Sequence, residues 1–304
     1  MRPMAVKAVL IAGPTASGKS ALALELARAL GATVVNADSM QVYREAPILT
    51  AQPSAAEMTQ VPHRLYGHVG AREAYSAGRF IRDAAEILAQ IDGTAIFVGG
   101  TGMYFSLLTE GLADIPAIPA EVRAKTRSRL EAIGVAALHR ELAARDPKTA
   151  SGLRPSDPQR VQRAYEVWEA TGRPLIEWQR EKAPPLLADI ETVKLVLDVP
   201  RAELRLRIAE RLKRMLAHGA PDEARALAHL DPALPAAKIL GLAEFAALAE
   251  GRLSEDEAIG RAALATGRFA KRQGTWLRNR MADWKWLGAR DCAKIVDELR
   301  GSFA

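Results

Sequence analysis

The period of apolar and polar positions shifts several times along the chain, and each shift marks an element. Val6–Ala12 is a short apolar run of the kind that fills a buried strand. From Lys19 to Leu30, leucines recur at 22, 26 and 30. That i, i+4, i+8 spacing predicts a helix with one buried face, ended by Gly31. Thr33–Ala37 and Ala95–Val98 are further strand-like runs, with a helical stretch over Ser76–Gln90 before the second. Strands alternating with helices predict an α/β core built on a parallel sheet covered on both faces. The texture changes at Pro116 and Pro119. Helical periodicity with little strand signal follows until Pro184-Pro185, and strand character returns over Glu191–Val199. The pattern therefore predicts a core over residues 1–116, a helical insertion over 117–189, and a mostly helical, basic continuation of the core over 190–304. Within the continuation, a helix over Arg201–His218 has Leu204, Ile208, Leu212 and Met215 as its apolar stripe. Arg207, Arg211 and Arg214 share another face.

A length of 304 residues fits this division, at roughly 100–200 residues per domain. With 49% hydrophobic and 26% charged residues, wholesale disorder and a disulfide scaffold are excluded. Cys292 is the only cysteine, so no intramolecular disulfide and no multi-cysteine zinc site can form. Near the start the longest apolar run, Ala8–Ala12, stops at Gly13-Pro14. It falls short of the roughly 7–15 residues of a secretory core and the about 20 of a membrane helix. A cytoplasmic protein without membrane association is expected. The formal charge is +6, unevenly spread. Residues 121–182 hold thirteen basic and nine acidic groups. Residues 261–290 hold eight basic groups, the last being Arg290, and one acid, Asp283, with Phe269, Trp276, Trp284 and Trp286 interleaved. A solvated helix face over a tryptophan-anchored core is one reading of that stretch. A nucleic-acid surface is the other.

Gly13-Pro14-Thr15-Ala16-Ser17-Gly18-Lys19-Ser20 fits G-x-x-x-x-G-K-[ST] between a strand and a helix. Backbone amides and the helix dipole make such a loop an anion site. Gly13 and Gly18 permit its geometry, Lys19 brings a mobile charge, and Ser20 can hold Mg²⁺. The loop specifies a di- or triphosphate and nothing more. The Asn-Lys-x-Asp guanine motif is absent. The strand at Ala95–Val98 ends in Gly99-Gly100-Thr101-Gly102 rather than in a carboxylate, and Asp198 reads as a strand-end or cap residue. Nucleotide hydrolysis is therefore poorly supported. Asp38 closes the second strand. Because adjacent strands of a doubly wound sheet open into one crevice, Asp38 is expected to face the same substrate as the cradle. A carboxylate beside phosphate makes sense where it receives a proton or orders a metal, and a strand-end cap is the competing role. Thr101 should reach the same crevice, and it can serve as a helix N-cap as well.

Further motifs follow in order: Asn36–Tyr43 (NADSMQVY), Pro62-His63, Tyr75-Ser76-Ala77 with Phe80, Val98–Thr101 (VGGT) with Tyr104, Asp157–Arg160 (DPQR), Thr171–Leu175 (TGRPL), and Lys271-Arg272-Gln273 with Thr275, Trp276 and Arg278. Over nearly the whole chain, this series strongly resembles the tRNA dimethylallyltransferases, also called tRNA isopentenyltransferases. The resemblance implies a P-loop NTPase-like core with a helical insertion domain. It implies transfer of a dimethylallyl group from dimethylallyl diphosphate to N6 of adenosine 37, beside the anticodon, without ATP. Residues 13–20 and Arg211 would then bind diphosphate through the amides of residues 15–20, Lys19 and Mg²⁺ near Ser20. Asp38 would take the N6 proton, and Thr101 would bond the bridging oxygen.

For the anticodon stem-loop of tRNA, the resemblance implies contacts from Asp38, Ser39, Met40, Gln41, Thr101, Arg123, Asp157, Pro158, Gln159, Arg160, Val161, Lys271, Arg272 and Arg278. Ser39 and Gln41 would hold the edge of a flipped adenine. Asp157 and Pro158 look like the N-cap and N1 of a helix whose buried face is Val161, Tyr165 and Trp168, leaving Gln159, Arg160 and Arg163 for RNA. The chain is expected to act as a monomer. It departs from the family pattern at Gln52, where a lysine is usual, at Ala46–Leu49, at Leu242 and at Gly267. A P-loop small-molecule kinase, with Asp38 as the base for a hydroxyl acceptor, would need ATP and leaves the basic stretch unexplained. A nucleotide-driven RNA-binding switch leaves Asp38 without a task.

Overall fold

The apolar runs assemble into a single sheet. The computed structural model describes residues 7–288 and 291–303. Its strands are β1 (Lys7–Ala12), β2 (Thr33–Asn36), β3 (His63–Arg64), β4 (Thr94–Gly99), β5 (Glu191–Leu197) and β6 (Lys285–Leu287). They pair in parallel in the order β3-β2-β4-β1-β5-β6. Val6 lies outside the described residues. β2 and β5 stop one and two residues sooner than the pattern suggested. β3 and β6 have no counterpart in it, being too short to carry a period.

Because β1 is central, Ala8–Ala12 are entirely buried. At roughly 1.5–3 kcal/mol for each fully buried Val, Leu or Ile, this strand alone anchors the sheet. One expectation needs correcting. β1 and β2 are not neighbours, because β4 lies between them, with Ala12 opposite Gly99 and Asn36 opposite Val98. The loops after β1, β4 and β2 therefore line up side by side, and the V-G-G-T loop stands between the cradle and Asp38.

By contact density the chain divides into two units, Met1–Thr109 with Leu186–Ala304, and Glu110–Pro185. In the first unit, α1 (Lys19–Leu30) buries Leu22, Ala23, Leu26 and Ala27 and ends at Gly31 with φ 61°. α2 (Ala55–Met58) and α3 (Ala77–Leu88) follow, the latter capped by the Ser76 hydroxyl accepting from the Arg79 amide. α4 (Gly102–Glu110) leaves the V-G-G-T loop.

The second unit is helical: α5 (Ala120–Ile133), α6 (Val135–Arg145), α7 (Pro147–Ala150), α8 (Pro158–Thr171) and α9 (Leu175–Arg180). Leu138, Leu142, Val161, Ala164 and Tyr165 form its own core. Asp157 caps α8 through the Arg160 amide, with Pro158 at N1.

The first unit resumes with α10 (Arg201–Ala217), α11 (Ala220–Leu227), α12 (Leu242–Ala249), α13 (Glu255–Arg280) and α14 (Cys292–Phe303). α10 buries the predicted stripe of Leu204, Ile208, Leu212 and Met215. α13 opens with a capping box between Ser254 and Glu257. In the basic stretch, Trp284 is buried edge-on to Phe105, while Lys271, Arg272 and Arg278 are exposed. Arg290 lies outside the described residues. Among the described residues no helix is long and apolar enough to cross a membrane.

Candidate active site

The cradle is built by the turn between β1 and α1. Gly13 and Pro14 lead out of β1, and the Ser17 amide donates back to Pro14 O at 3.2 Å. Ala16 and Gly18 take positive φ angles of 63° and 95°. Such reversals turn successive amides inward, the arrangement that concentrates N–H groups on an anion. Lys19 folds over the loop, its Nζ donating to Pro14 O at 3.3 Å. Burial pulls its ammonium down to about 8; the Asp38 charge opposes this and the Arg211 charge adds to it. Ser17 Oγ is buried without a partner, and Ser20 is exposed at the start of α1. The expectation that all amides of residues 15–20 face an anion is corrected at two positions. Ser17 N–H closes the turn, and Thr15 N–H donates to Gln273 Oε1 at 2.9 Å.

Asp38 is held by its own neighbourhood. Asn36, 1% exposed, accepts the Asp38 amide at 2.8 Å and donates to Asp38 O and Leu65 O. One carboxylate oxygen, Oδ1, accepts the Met40 amide at 3.0 Å. The other, Oδ2, lies 3.2 Å from where a Cβ would stand on Gly100. Thr101 is tied to the residue after Asp38: its Oγ1 accepts the Ser39 amide at 2.9 Å and donates to Ser39 Oγ at 3.2 Å. Gln41 spends its amide hydrogens on Thr50 O and Ala51 O, at 3.0 and 2.7 Å.

A cavity of about 770 Å³ joins the cradle to Asp38 and Gln41. It is lined by Thr15, Ala16, Gly18, Lys19 and Ser20 of the cradle, by Asp38 and Gln41, and by Arg207, Arg211 and Arg214 of α10. The arginines of one helix face do different work. Arg207 braces the cradle, donating to Ser17 O at 3.0 Å and pairing with Glu203. Arg211 keeps a buried Nε without a partner, and burial lowers its pKa against the pull of Asp38. A buried guanidinium donor without an acceptor is costly, so its place in the cavity wall asks for an anion.

A model of the family described as IPP transferase matches residues 41–280. The chain belongs to that family. A tRNA dimethylallyltransferase of Methylocella silvestris is 49% identical over 294 residues, covering 95% of this chain and 97% of that protein. The full-length tRNA isopentenylpyrophosphate transferase of Bacillus halodurans superposes with a TM-score of 0.67 at 31% identity, over 98% of this chain and 96% of that one. A eukaryotic dimethylallyltransferase acting on tRNA superposes with a TM-score of 0.79 at 29% identity, over 93% of this chain and 74% of that one.

Membership of the IPP transferase family makes the protein a transferase with a P-loop NTPase-like core, and the remaining candidate residues are placed accordingly. Lys271 and Arg272 are exposed on α13, Arg272 lying over the Phe269 ring at 5.6 Å. Arg278 is exposed and stands 4.0 Å from Asp198. In the insertion unit, Arg123, Pro158, Gln159 and Arg160 are exposed, while Asp157 is the cap. Val161 is corrected: it is fully buried in that unit's core, so its side chain is closed to RNA. Arg163 is half-buried and its pKa is lowered by burial, so it is less available than Arg160. Trp168 is half-buried rather than buried.

Three residues were missed by sequence reasoning: Asn36, Arg207 and Gln273. Each sits inside a quoted motif or stripe, yet what distinguishes it is buried hydrogen bonding, which residue type alone does not reveal. Of the departures, Gln52 donates to Tyr43 O at 2.7 Å, Ile48 and Leu49 amides are held by Glu223, and Leu242 is buried. A Cβ at Gly267 would meet open space.

Proposed function

We propose that this protein transfers a dimethylallyl group from dimethylallyl diphosphate to N6 of adenosine 37 in tRNA and releases diphosphate. One observation carries the reading: a single cavity holds an anion cradle with Lys19 and Arg211, and a backbone-oriented carboxylate at Asp38. A kinase reading has no comparable support, because the family relatives are prenyl transferases by name.

In the reaction the allylic carbon–oxygen bond breaks and the carbon–N6 bond forms. Negative charge builds on the leaving diphosphate, where the free cradle amides, Lys19 and Arg211 oppose it. Asp38 takes the proton released from N6 as the amine attacks. Thr101 can donate to the bridging oxygen once its hydrogen swings away from Ser39 Oγ. Ser20 fits Mg²⁺: its hydroxyl is exposed beside the cradle and Asp38 lines the same cavity, a hard-oxygen set suited to a cation held chiefly by phosphate oxygens and water. When bound, Mg²⁺ neutralises charge on the leaving group. Lys271, Arg272 and Arg278 offer phosphate contacts on α13, and Arg123 and Arg160 offer them on the insertion unit. The cavity is complete within one chain, so a monomer suffices, and tRNA as acceptor fits a cytoplasmic setting.

The test is a mass measurement. Protein, unmodified tRNA, dimethylallyl diphosphate and Mg²⁺, with no ATP, should add one prenyl mass to adenosine 37. Absence of that mass from folded protein, together with ATP consumption, would instead favour a kinase.

A further inference from the structure

Gln273 touches both the cradle and the loop that carries Thr101. Its Oε1 accepts the Thr15 amide hydrogen at 2.9 Å, and its Nε2 donates to Gly100 O at 2.8 Å. The partners lie 258 and 173 residues away in sequence, and the side chain is buried. One turn further along α13, Trp276 covers Gly102. A Cβ on Gly100 would stand 2.2 Å from Gln273 Nε2, and a Cβ on Gly102 would stand 2.1 Å from the Trp276 ring. The glycines of the loop are thus what admits these two side chains of α13.

We infer that Gln273 is a positioning residue. Its amide sets the spacing between the diphosphate cradle and the Gly100-Thr101 loop, and so aligns the leaving group with Asp38. Both contacts need the same planar group to accept on one side and donate on the other, which a primary amide does. Loss of the amide orphans the Thr15 N–H and the Gly100 carbonyl together, and both are buried. The amide also decides which cradle donors remain: by holding Thr15 N–H, it turns that hydrogen away from the anion. A misalignment of about 1 Å between reacting groups is enough to cost on the order of a hundredfold in rate. The inference rests on the cradle being the diphosphate site, so the probe is inorganic diphosphate with Mg²⁺, which does not depend on the prenyl or tRNA parts of that reading.

Two variants test it. Gln273→Met keeps the length and removes both polar contacts. It should weaken diphosphate binding about tenfold and lower kcat by about 10–100-fold, with the Kd for tRNA within about twofold of wild type. Gln273→Glu gives the sharper readout. Its carboxylate opposes the Gly100 carbonyl oxygen, whereas its protonated form has the same shape and the same donor–acceptor pair as the amide. Diphosphate affinity, as a ratio to wild type, should therefore recover as pH falls from about 8 to about 6. A filler role would leave diphosphate affinity of folded Gln273→Met at the wild-type value and would lower only the folded fraction. A flat ratio, or wild-type diphosphate affinity in folded Gln273→Met, overturns the inference. If Gln273→Met fails to fold, the pH ratio of Gln273→Glu decides alone. If wild type itself does not bind diphosphate, the functional reading falls and takes this inference with it.

Discussion

The cavity of the first unit and the exposed face of the insertion unit organise their polar residues in opposite ways. Around the cavity, side chains are pinned by hydrogen bonds, some local, as between Asp38 and the Met40 amide, and others reaching far along the chain, as from Arg207 to Ser17 and from Gln273 to Thr15. In the insertion unit, Arg160 pairs with its near neighbour Asp157, and the candidate side chains of Arg123, Gln159 and Arg160 are exposed. Groups that meet a developing charge work by being fixed beforehand, since reorganisation would consume the benefit. Groups that meet a flexible RNA backbone need only charge and reach. Substitutions in the first region should therefore change diphosphate binding and the chemical step, and substitutions in the second should change tRNA affinity.

The largest effect is expected at Asp38. Asp38→Ala should lower single-turnover prenyl transfer by about 10²–10⁴-fold while leaving tRNA affinity nearly unchanged. A large loss of tRNA binding would break the comparison, because it would make Asp38 an affinity residue. Next comes the charge on Lys19. With its pKa near 8, Lys19 is charged at neutral pH and loses its proton as pH rises through that value. Diphosphate affinity measured by calorimetry should fall above about pH 8, and Lys19→Met should abolish that limb of the profile. The stability sign is the reverse. The folded pKa lies below the unfolded value of 10.5, so the cost of burying the charge is felt below about pH 8. That cost is relieved between there and the unfolded pKa.

Most of the core was legible from periodicity because β1, β4 and α1 repeat one physical environment over six to twelve residues. β3 and β6, of two and three residues, repeat nothing and were invisible. The cradle was legible because its spacing is its mechanism. Asp38 and Thr101 were legible as strand-end residues, although the insertion of β4 between β1 and β2 was not. Strand order depends on crossover connections, which leave no local trace. Asn36 and Gln273 escaped for a related reason: a buried amide looks like any surface amide until its partners, tens to hundreds of residues away, are known. Val161 was read both as core and as RNA contact, and its complete burial settles it as core.

In the second region the effects should be smaller. Arg160→Ala should weaken tRNA binding and reduce the slope of log affinity against log salt by about one, with kcat at saturating tRNA preserved. An unchanged slope would remove Arg160 from the RNA surface. The smallest effect is at Gly267, mid-helix in α13, where an added Cβ meets nothing within 4 Å. Gly267→Ala should stabilise the protein by about 0.5–1 kcal/mol, read as a rise in Tm, and leave both transfer and diphosphate affinity as they are.

The most direct measurement is the phosphorus balance of the reaction, followed by ³¹P NMR with tRNA in known amount and no nucleotide present. The account predicts one free diphosphate for each adenosine that gains a prenyl group, and a parallel loss of both signals in Asp38→Ala. Prenylated tRNA without matching diphosphate, or release of orthophosphate in its place, would contradict it.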